Sequence, residues 1–216
     1  MRTYASHTAV LGAGSWGTAL AIQIVRAGHG VCLWGRDPEQ MAAMAGKREN
    51  TRFLPGAAFP ESLRLEANLR AAVESSDIVL LCVPSHAFPE LLQQVTPLMR
   101  SGTRIAWASK GFEPGSGRFL HEVVEDAIGV ESPGAVITGP SFAREVADDV
   151  PTAVTVASTD LVFAERVAGL LHFGNFRTYT PMTSSAQNWE ARSRMCWQWA
   201  LASWMAWAWA PIPGQL

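Results

Sequence analysis

The sequence predicts an α/β protein: a doubly wound parallel sheet with helices on both faces. Three observations carry that prediction. Short apolar runs recur up to residue 180, and the stretches between them carry apolar residues at helical spacing. The first strand–helix–strand unit also closes within about 30 residues, the length that a parallel crossover needs. Strands alternating with helices are the pattern of an open, doubly wound sheet.

The elements follow in order. Residues 7–12 (HTAVLG) are a short apolar run ending in glycine, read as a buried strand. Residues 15–27 (SWGTALAIQIVRA) have helical periodicity, and Gly28 stops that helix. Residues 30–35 (GVCLWG) are a second strand, and 46–60 (GKRENTRFLPGAAFP) a loop rich in Gly and Pro. DIVLLCV (77–83) is a strand followed by a helix, and TRIAWAS (103–109) is a strand followed by a helix near 116–127. GAVITG (134–139) and TAVTVAS (152–158) are strands, and a helix near 160–171 leads to FRTYT (176–180). After Pro181 the pattern fails. The predicted division is therefore one α/β domain over 1–181 and a Trp-rich tail over 182–216.

Composition narrows the function classes. The 216 residues suffice for one well-cored domain, or one domain and a fragment of another. A formal net charge of −2 gives no bulk attraction to nucleic acid. The first residues, MRTYASHTAVLG, lack the long apolar stretch and small-residue cleavage site of a secretory signal. Cys32, Cys82 and Cys196 form no CxxC pair, and no Cys/His cluster has zinc-ligand spacing. They read as core thiols of a reducing compartment, which makes the expected location cytoplasmic.

One motif carries chemistry. Gly12-Ala13-Gly14-Ser15-Trp16-Gly17 fits GxGxxG, directly after a strand and opening a helix. Gly12 permits the tight turn, Gly14 lets a pyrophosphate approach the backbone, and Gly17 lets the helix pack against the strand. The helix start offers free N–H groups and a partial positive charge to the anion. These features predict a Rossmann-type dinucleotide site. The residue ending the second strand selects the cofactor. An acid there would hold the ribose 2′-OH of NAD, but the sequence has Gly35-Arg36-Asp37. Arg36 suits the 2′-phosphate of NADP or stacks on adenine, and Asp37 before Pro38 also fits a helix cap. The reading favours NADP, with NAD allowed.

Further segments carry a resemblance. The turn GAGSWGTALA is joined, in order, by NTRFLPG (50–56), DIVLLCVPS (77–85), SKGFE (109–113), TGPSFARE (138–145), Pro151-Thr152-Ala153 and FRTYT (176–180). Together they resemble bacterial-type NAD(P)-dependent glycerol-3-phosphate dehydrogenase from residue 7 to about 181. Other nicotinamide dehydrogenases share the first turn but lack the SKG and GPSFAxE segments. The resemblance implies reduction of dihydroxyacetone phosphate to sn-glycerol 3-phosphate with hydride from NAD(P)H, and it allows a homodimer. It implies that Ser15, Trp16 and Arg36 contact the cofactor, that Lys110 touches cofactor and substrate, that Gly139 and Ser141 line the substrate site, and that Ala143 lies near the cofactor.

The residues themselves agree with that reading. Lys110 lies just past the carboxyl end of a strand, the edge where open α/β sheets bind ligands, and a cation there suits a phosphorylated carbonyl compound. The bland alternative, a solvated lysine, loses weight because the chain has one other lysine, Lys47. Gly139-Pro140-Ser141 is a tight turn into a short helix, offering N–H groups and a hydroxyl. Glu145 reads as a local pairing or capping residue, and His86 and His172 as packing or surface residues. No general acid is read in the sheet domain.

The tail departs from the family. Trp189, Trp197, Trp199, Trp204, Trp207 and Trp209 crowd the last residues. Family members continue instead with segments like DVIGVELGGALKN, whose lysine transfers the proton, and DGLGLGANTRAA. Reading the tail one nucleotide upstream restores them. Met182-Thr183 forces Asp, Asn188-Trp189 forces Leu, Trp189-Glu190 forces Gly, Met195-Cys196 forces Val and Cys196-Trp197 forces Leu. Trp204-Met205 and Met205-Ala206 then force Asp-Gly. The shifted frame allows DDVIGAELGGAVKNVLAV followed by DGLGLGANTRAA, with the Lys and Asn codons straddling Ser193, Arg194 and Met195. The tail is therefore expected to be a frameshift product, leaving no catalytic residue of this chain to assign. A rival reading is a non-catalytic NAD(P)-binding module whose tail contacts a partner or a membrane. Against a membrane span, the tryptophans are spread along residues 195–212 rather than banded at the ends, and no basic flank follows.

Overall fold

The computed structural model describes residues 7–180. The expected boundary at 181 and the Trp-rich stretch lie outside the described residues.

The fold opens with β1 (His7–Leu11), α1 (Ser15–Arg26) and β2 (Gly30–Trp34). It continues through α2 (Pro38–Lys47), β3 (Arg64–Glu66), α3 (Leu69–Glu74), β4 (Ile78–Leu81) and α4 (Phe88–Val95). The rest is β5 (Arg104–Trp107), α5 (Leu120–Ile128), β6 (Ala135–Thr138), α6 (Ala143–Ala147), β7 (Thr152–Ala157), α7 (Leu161–Leu171) and β8 (Phe176–Tyr179). The strands form one sheet in the order β3-β2-β1-β4-β5-β6-β7-β8.

Both faces of the central strands are buried, which is why they read as continuous apolar runs rather than as alternations. Successive side chains point to opposite faces. Val10, Leu33, Leu80, Ala106 and Ile137 therefore join the core that includes Leu20 and Ile24 of α1 and Phe163 and Val167 of α7. Ala9, Leu11, Val79, Leu81 and Ile105 join a second core with Phe88 and Leu92 of α4 and Val124 of α5. There the fully buried Trp107 ring meets Phe88 edge-on, centroids 6.5 Å apart.

Six strands, β1 to β6, run parallel, so their carboxyl ends share one edge. The chain order reverses direction between β1 and β4, which pair directly. That is the switch point at which the loops after adjacent strands diverge and leave a crevice.

The mostly parallel, doubly wound sheet is the one expected, with three refinements. The sheet is not parallel throughout: β7 pairs antiparallel with β6, and β8 follows the direction of β7. The reason is length. A parallel crossover must carry the chain back along the strand, and α6 has five residues, about 7.5 Å at 1.5 Å per residue. The 11-residue α7 does return the chain, so β7 and β8 are parallel. The edge strand β3, three residues long, was not anticipated; its side chains are exposed or half-buried, so it has no apolar signature. The helix expected near 116–127 begins at Leu120, where the Glu122 carboxylate accepts the Phe119 N–H at 2.7 Å; Gly115 and Gly117, both at positive φ, shape the preceding turn.

Candidate cofactor and substrate site

The site grows from the turn between β1 and α1. Gly12 has φ +125°, and a Cβ there would lie 2.5 Å from the Cys82 carbonyl oxygen at the end of β4. Its N–H donates to the Trp34 carbonyl at 2.9 Å, tying the turn to β2. A Cβ on Gly17 would fall onto the Gly12 carbonyl oxygen. Both glycines are thus required by the packing of the turn itself. Gly14 differs: it caps α1 with an ordinary φ of −79°, and a Cβ there would meet nothing within 4 Å. Its open side faces away from the protein, so the fold alone gives no reason for a glycine at this position. Among the described residues, the N–H groups of Gly14, Ser15 and Trp16 make no hydrogen bond. Three such donors at the start of a 12-residue helix have the geometry and dipole that suit an anion.

A second cluster stands on the same edge. Lys110, just past β5, places Nζ 3.5 Å from the Gly139 carbonyl and 5.9 Å from the centroid of the Trp16 ring. The Ser141 hydroxyl donates to the same carbonyl at 3.4 Å. Lys110, Gly139 and Ser141 therefore converge from two separate loops on Trp16 in the first turn of α1. Lys110 remains exposed as a residue, but partial desolvation of its ammonium lowers its pKa from the ordinary value. The Trp16 indole Nε1 is buried without a hydrogen-bond partner. Ala143 opens α6 and, like Trp16, packs partly buried against the α1-side core. Ser109, next to Lys110, accepts the Val83 N–H at 3.2 Å, fixing the ends of β4 and β5 together.

Arg36 stands apart from this cluster. It is exposed at the carboxyl end of β2 and makes no hydrogen bond or ion pair among the described residues. Its neighbour Asp37 caps α2, its Oδ1 accepting from the N–H groups of Glu39 (3.0 Å) and Gln40 (3.3 Å), with Pro38 in the first turn. The capping alternative for Asp37 is the arrangement found.

Sequence reasoning missed the residues that hold the turn from behind. The Ala13 carbonyl accepts from Asn50 Nδ2 at 3.0 Å and from Gln40 Nε2 at 3.2 Å. The signal was present in Asn50, a polar side chain inside the NTRFLPG segment, but no local rule says where a loop amide will reach. Arg144 was likewise overlooked: it donates to the Pro55 carbonyl and pairs with Asp148 at 2.7 Å, linking α6 to that loop.

The remaining candidates settle plainly. His172 Nδ1 lies 3.1 Å from the Thr178 hydroxyl, a packing contact between α7 and β8. His86 is exposed. Cys32 and Cys82 are buried free thiols; burial pushes Cys32 up to about 11 and Cys82 higher still. Among the described residues no group of three or more His, Cys, Asp or Glu could hold a metal ion, and no helix is long and apolar enough to cross a membrane.

Comparison with known proteins gives this geometry a family. Residues 7–164, well over half of the chain, match the family model described as the N-terminus of NAD-dependent glycerol-3-phosphate dehydrogenase. A glycerol-3-phosphate dehydrogenase, NAD(P)+, of Xanthomonas euvesicatoria is 52% identical over 180 residues, covering 83% of this chain and 53% of the relative. One from Stenotrophomonas maltophilia is 51% identical over the same length. The crystal structure of glycerol-3-phosphate dehydrogenase from Coxiella burnetii superposes with a TM-score of 0.78 at 44% identity, covering 82% of this chain and 54% of that one. The chain thus spans about half the length of the curated relatives it matches. The extent of the family match and the identity to these dehydrogenases together establish that this chain belongs to the NAD-dependent glycerol-3-phosphate dehydrogenase N-terminal family.

Proposed function

We propose that the chain is the cofactor-holding part of an enzyme that reduces dihydroxyacetone phosphate to sn-glycerol 3-phosphate, a precursor for glycerophospholipid synthesis. The observation that carries the reading is the convergence of Lys110, Trp16, Gly139 and Ser141 beside the unpaired N–H groups of the Gly12–Gly17 turn. The residues fit a dinucleotide. Gly14 leaves open the space that a Cβ would take, and three helix-start N–H groups are free to bind a pyrophosphate. When bound, the dihydronicotinamide supplies the hydride for the substrate carbonyl carbon.

The chain's own residues bind and orient. The Gly14, Ser15 and Trp16 N–H groups would hold the pyrophosphate oxygens, and Gly12 and Gly17 set the turn that presents these groups. Lys110 offers its ammonium to the substrate's phosphate or carbonyl oxygen, exchanging the Gly139 carbonyl for a stronger acceptor. Ser141 and the Gly139 turn line the substrate side, and Ala143 borders the cofactor. We assign no proton donor among these residues. In the shifted reading of the tail the lysine of the GGAVKN segment would supply it; Arg194 cannot, because a guanidinium stays protonated. The 216-residue chain is accordingly expected to bind cofactor and to turn over dihydroxyacetone phosphate negligibly.

The preference between cofactors rests on Arg36 and Asp37. Arg36 is exposed and unpaired among the described residues, and Asp37 is engaged in capping α2. That pair favours the 2′-phosphate of NADP over the 2′-hydroxyl of NAD. Isothermal calorimetry of the chain with NADH and NADPH tests the reading: heat with neither cofactor refutes it. Sequencing the gene across codons 178–184 tests the frame, and a verified frame with no missing or extra base refutes that part.

A further inference from the structure

The Ala13 carbonyl is held from behind by two side-chain amides, and its peptide plane is the one that carries the Gly14 N–H. No cis peptide bond occurs among the described residues. In a trans peptide the C=O of one residue and the N–H of the next point in opposite directions. Fixing the Ala13 oxygen toward Asn50 therefore fixes the Gly14 N–H in the opposite direction, where it meets no hydrogen-bond acceptor among the described residues.

We propose that Asn50 is a positioning residue for cofactor binding, whose amide locks the Ala13–Gly14 peptide so that the Gly14 N–H faces the pyrophosphate. The inference rests on the cofactor reading above. Asn50 is fully buried. Its Nδ2 donates to the Ala13 carbonyl at 3.0 Å and to the Thr18 hydroxyl of α1 at 2.9 Å, and its Oδ1 accepts the Phe53 N–H at 3.2 Å. Both N–H donors and the carbonyl are engaged, so the amide has one orientation. Gln40 shares the Ala13 oxygen, but it is half-buried and also leans on the Met44 sulfur at 3.6 Å, which makes it the weaker anchor. The loop that carries Asn50 is itself tied down: Gly56 N–H donates to Glu49 Oε1 at 2.8 Å, Phe59 N–H to the Arg48 carbonyl at 2.8 Å, and Arg144 holds the Pro55 carbonyl. A loop fastened at three points can transmit the position of Asn50 to the turn.

The test is Asn50→Asp in the full chain, with dissociation constants for NADH and NADPH from calorimetry and melting followed by circular dichroism. The substitution keeps the shape and sets a carboxylate oxygen against the Ala13 carbonyl, so cofactor affinity is expected to fall by about tenfold or more. Gln23→Glu is the matched comparison. Gln23 is an equally buried amide on α1, and its Nε2 holds the Leu171 and Phe173 carbonyls at 2.9 and 3.0 Å rather than the turn. It is expected to lower the melting temperature and leave the affinity within about twofold of wild type. Equal affinity loss in the two variants, or an Asn50→Asp protein that binds as tightly as wild type, overturns the inference while leaving the cofactor reading intact. A wild-type chain that binds neither cofactor overturns both.

Discussion

The Lys110 ammonium lies 5.9 Å from the centre of the Trp16 ring and 3.5 Å from the Gly139 carbonyl, so one cation bridges α1 and the turn proposed to line the substrate side. A weak acceptor and an aromatic face replace only part of the water such a group loses, which is why its pKa falls. Burial disfavours the charged form, so the cost is present while the ammonium is protonated and fades as pH rises through the lowered value toward 10.5. Lys110→Met is expected to melt no lower than wild type at neutral pH, with any advantage shrinking toward pH 10.5. The same variant is expected to bind dihydroxyacetone phosphate about tenfold more weakly. Melting curves across pH, paired with calorimetry, check both halves.

Gly14 and Gly17 predict opposite outcomes for the same substitution. Gly14→Ala places a methyl in open space, so its melting temperature should match wild type within a few degrees while cofactor affinity collapses by more than about tenfold. Gly17→Ala drives a methyl into the Gly12 carbonyl and should cost roughly 1–3 kcal/mol of stability. At about 2–4 °C per kcal/mol for a domain of this size, that is a clear fall in melting temperature. If Gly14→Ala binds cofactor normally, the open side is not where the pyrophosphate sits.

Arg36→Ala tests the selection of the cofactor's ribose substituent. Removing an exposed guanidinium that makes no ion pair among the described residues should leave stability unchanged, because nothing packed is lost. NADPH affinity should fall about tenfold and NADH affinity by much less, as expected for one charge-assisted contact. Equal losses for both cofactors would place Arg36 on the adenine ring instead.

Asp160 gives a pH prediction away from the site. Its carboxylate caps α7 through the Phe163 N–H at 3.1 Å and pairs with Arg104 at 3.0 Å. The cap first, and then the Arg104 guanidinium, hold its pKa below the ordinary 3.8 against the opposing effect of burial. A depressed carboxylate stabilises the fold fully above 3.8 and loses that contribution as pH falls through its folded value. Asp160→Asn keeps a capping oxygen and loses the charge, so it should cost roughly 1 kcal/mol at neutral pH and almost nothing in strong acid. Asp160→Ala should cost about 1 kcal/mol more through the missing cap. Denaturant titrations at several pH values measure both.

Much of the fold was legible because its signals are local. The strands β1, β2, β4, β5 and β6 announce themselves as apolar runs, since a strand covered on both faces has no solvent side to reveal. The turn was legible because the GxGxxG spacing is a pattern of six consecutive residues set between an apolar run and a helical period. The two edges of the sheet were less so. β3 is too short and polar to stand out, and the reversal at β7 follows from the brevity of α6, a short helix anticipated after Ser141 but with no length read from the sequence. Arg144 escaped notice because its partner, Pro55, is far away along the chain.

The sequence by itself determined the glycine turn, the strand–helix rhythm and the one lysine placed past a central strand, since each depends on neighbours a few residues away. Tertiary structure decided which of these meet. It brought Lys110 and Gly139 from two loops to Trp16 at the start of α1, carried Asn50 to the Ala13 carbonyl, and turned β7 and β8 against the rest. Those outcomes depend on distances that close only when the sheet is assembled, because a side chain's reach is set by where the packed core puts its backbone.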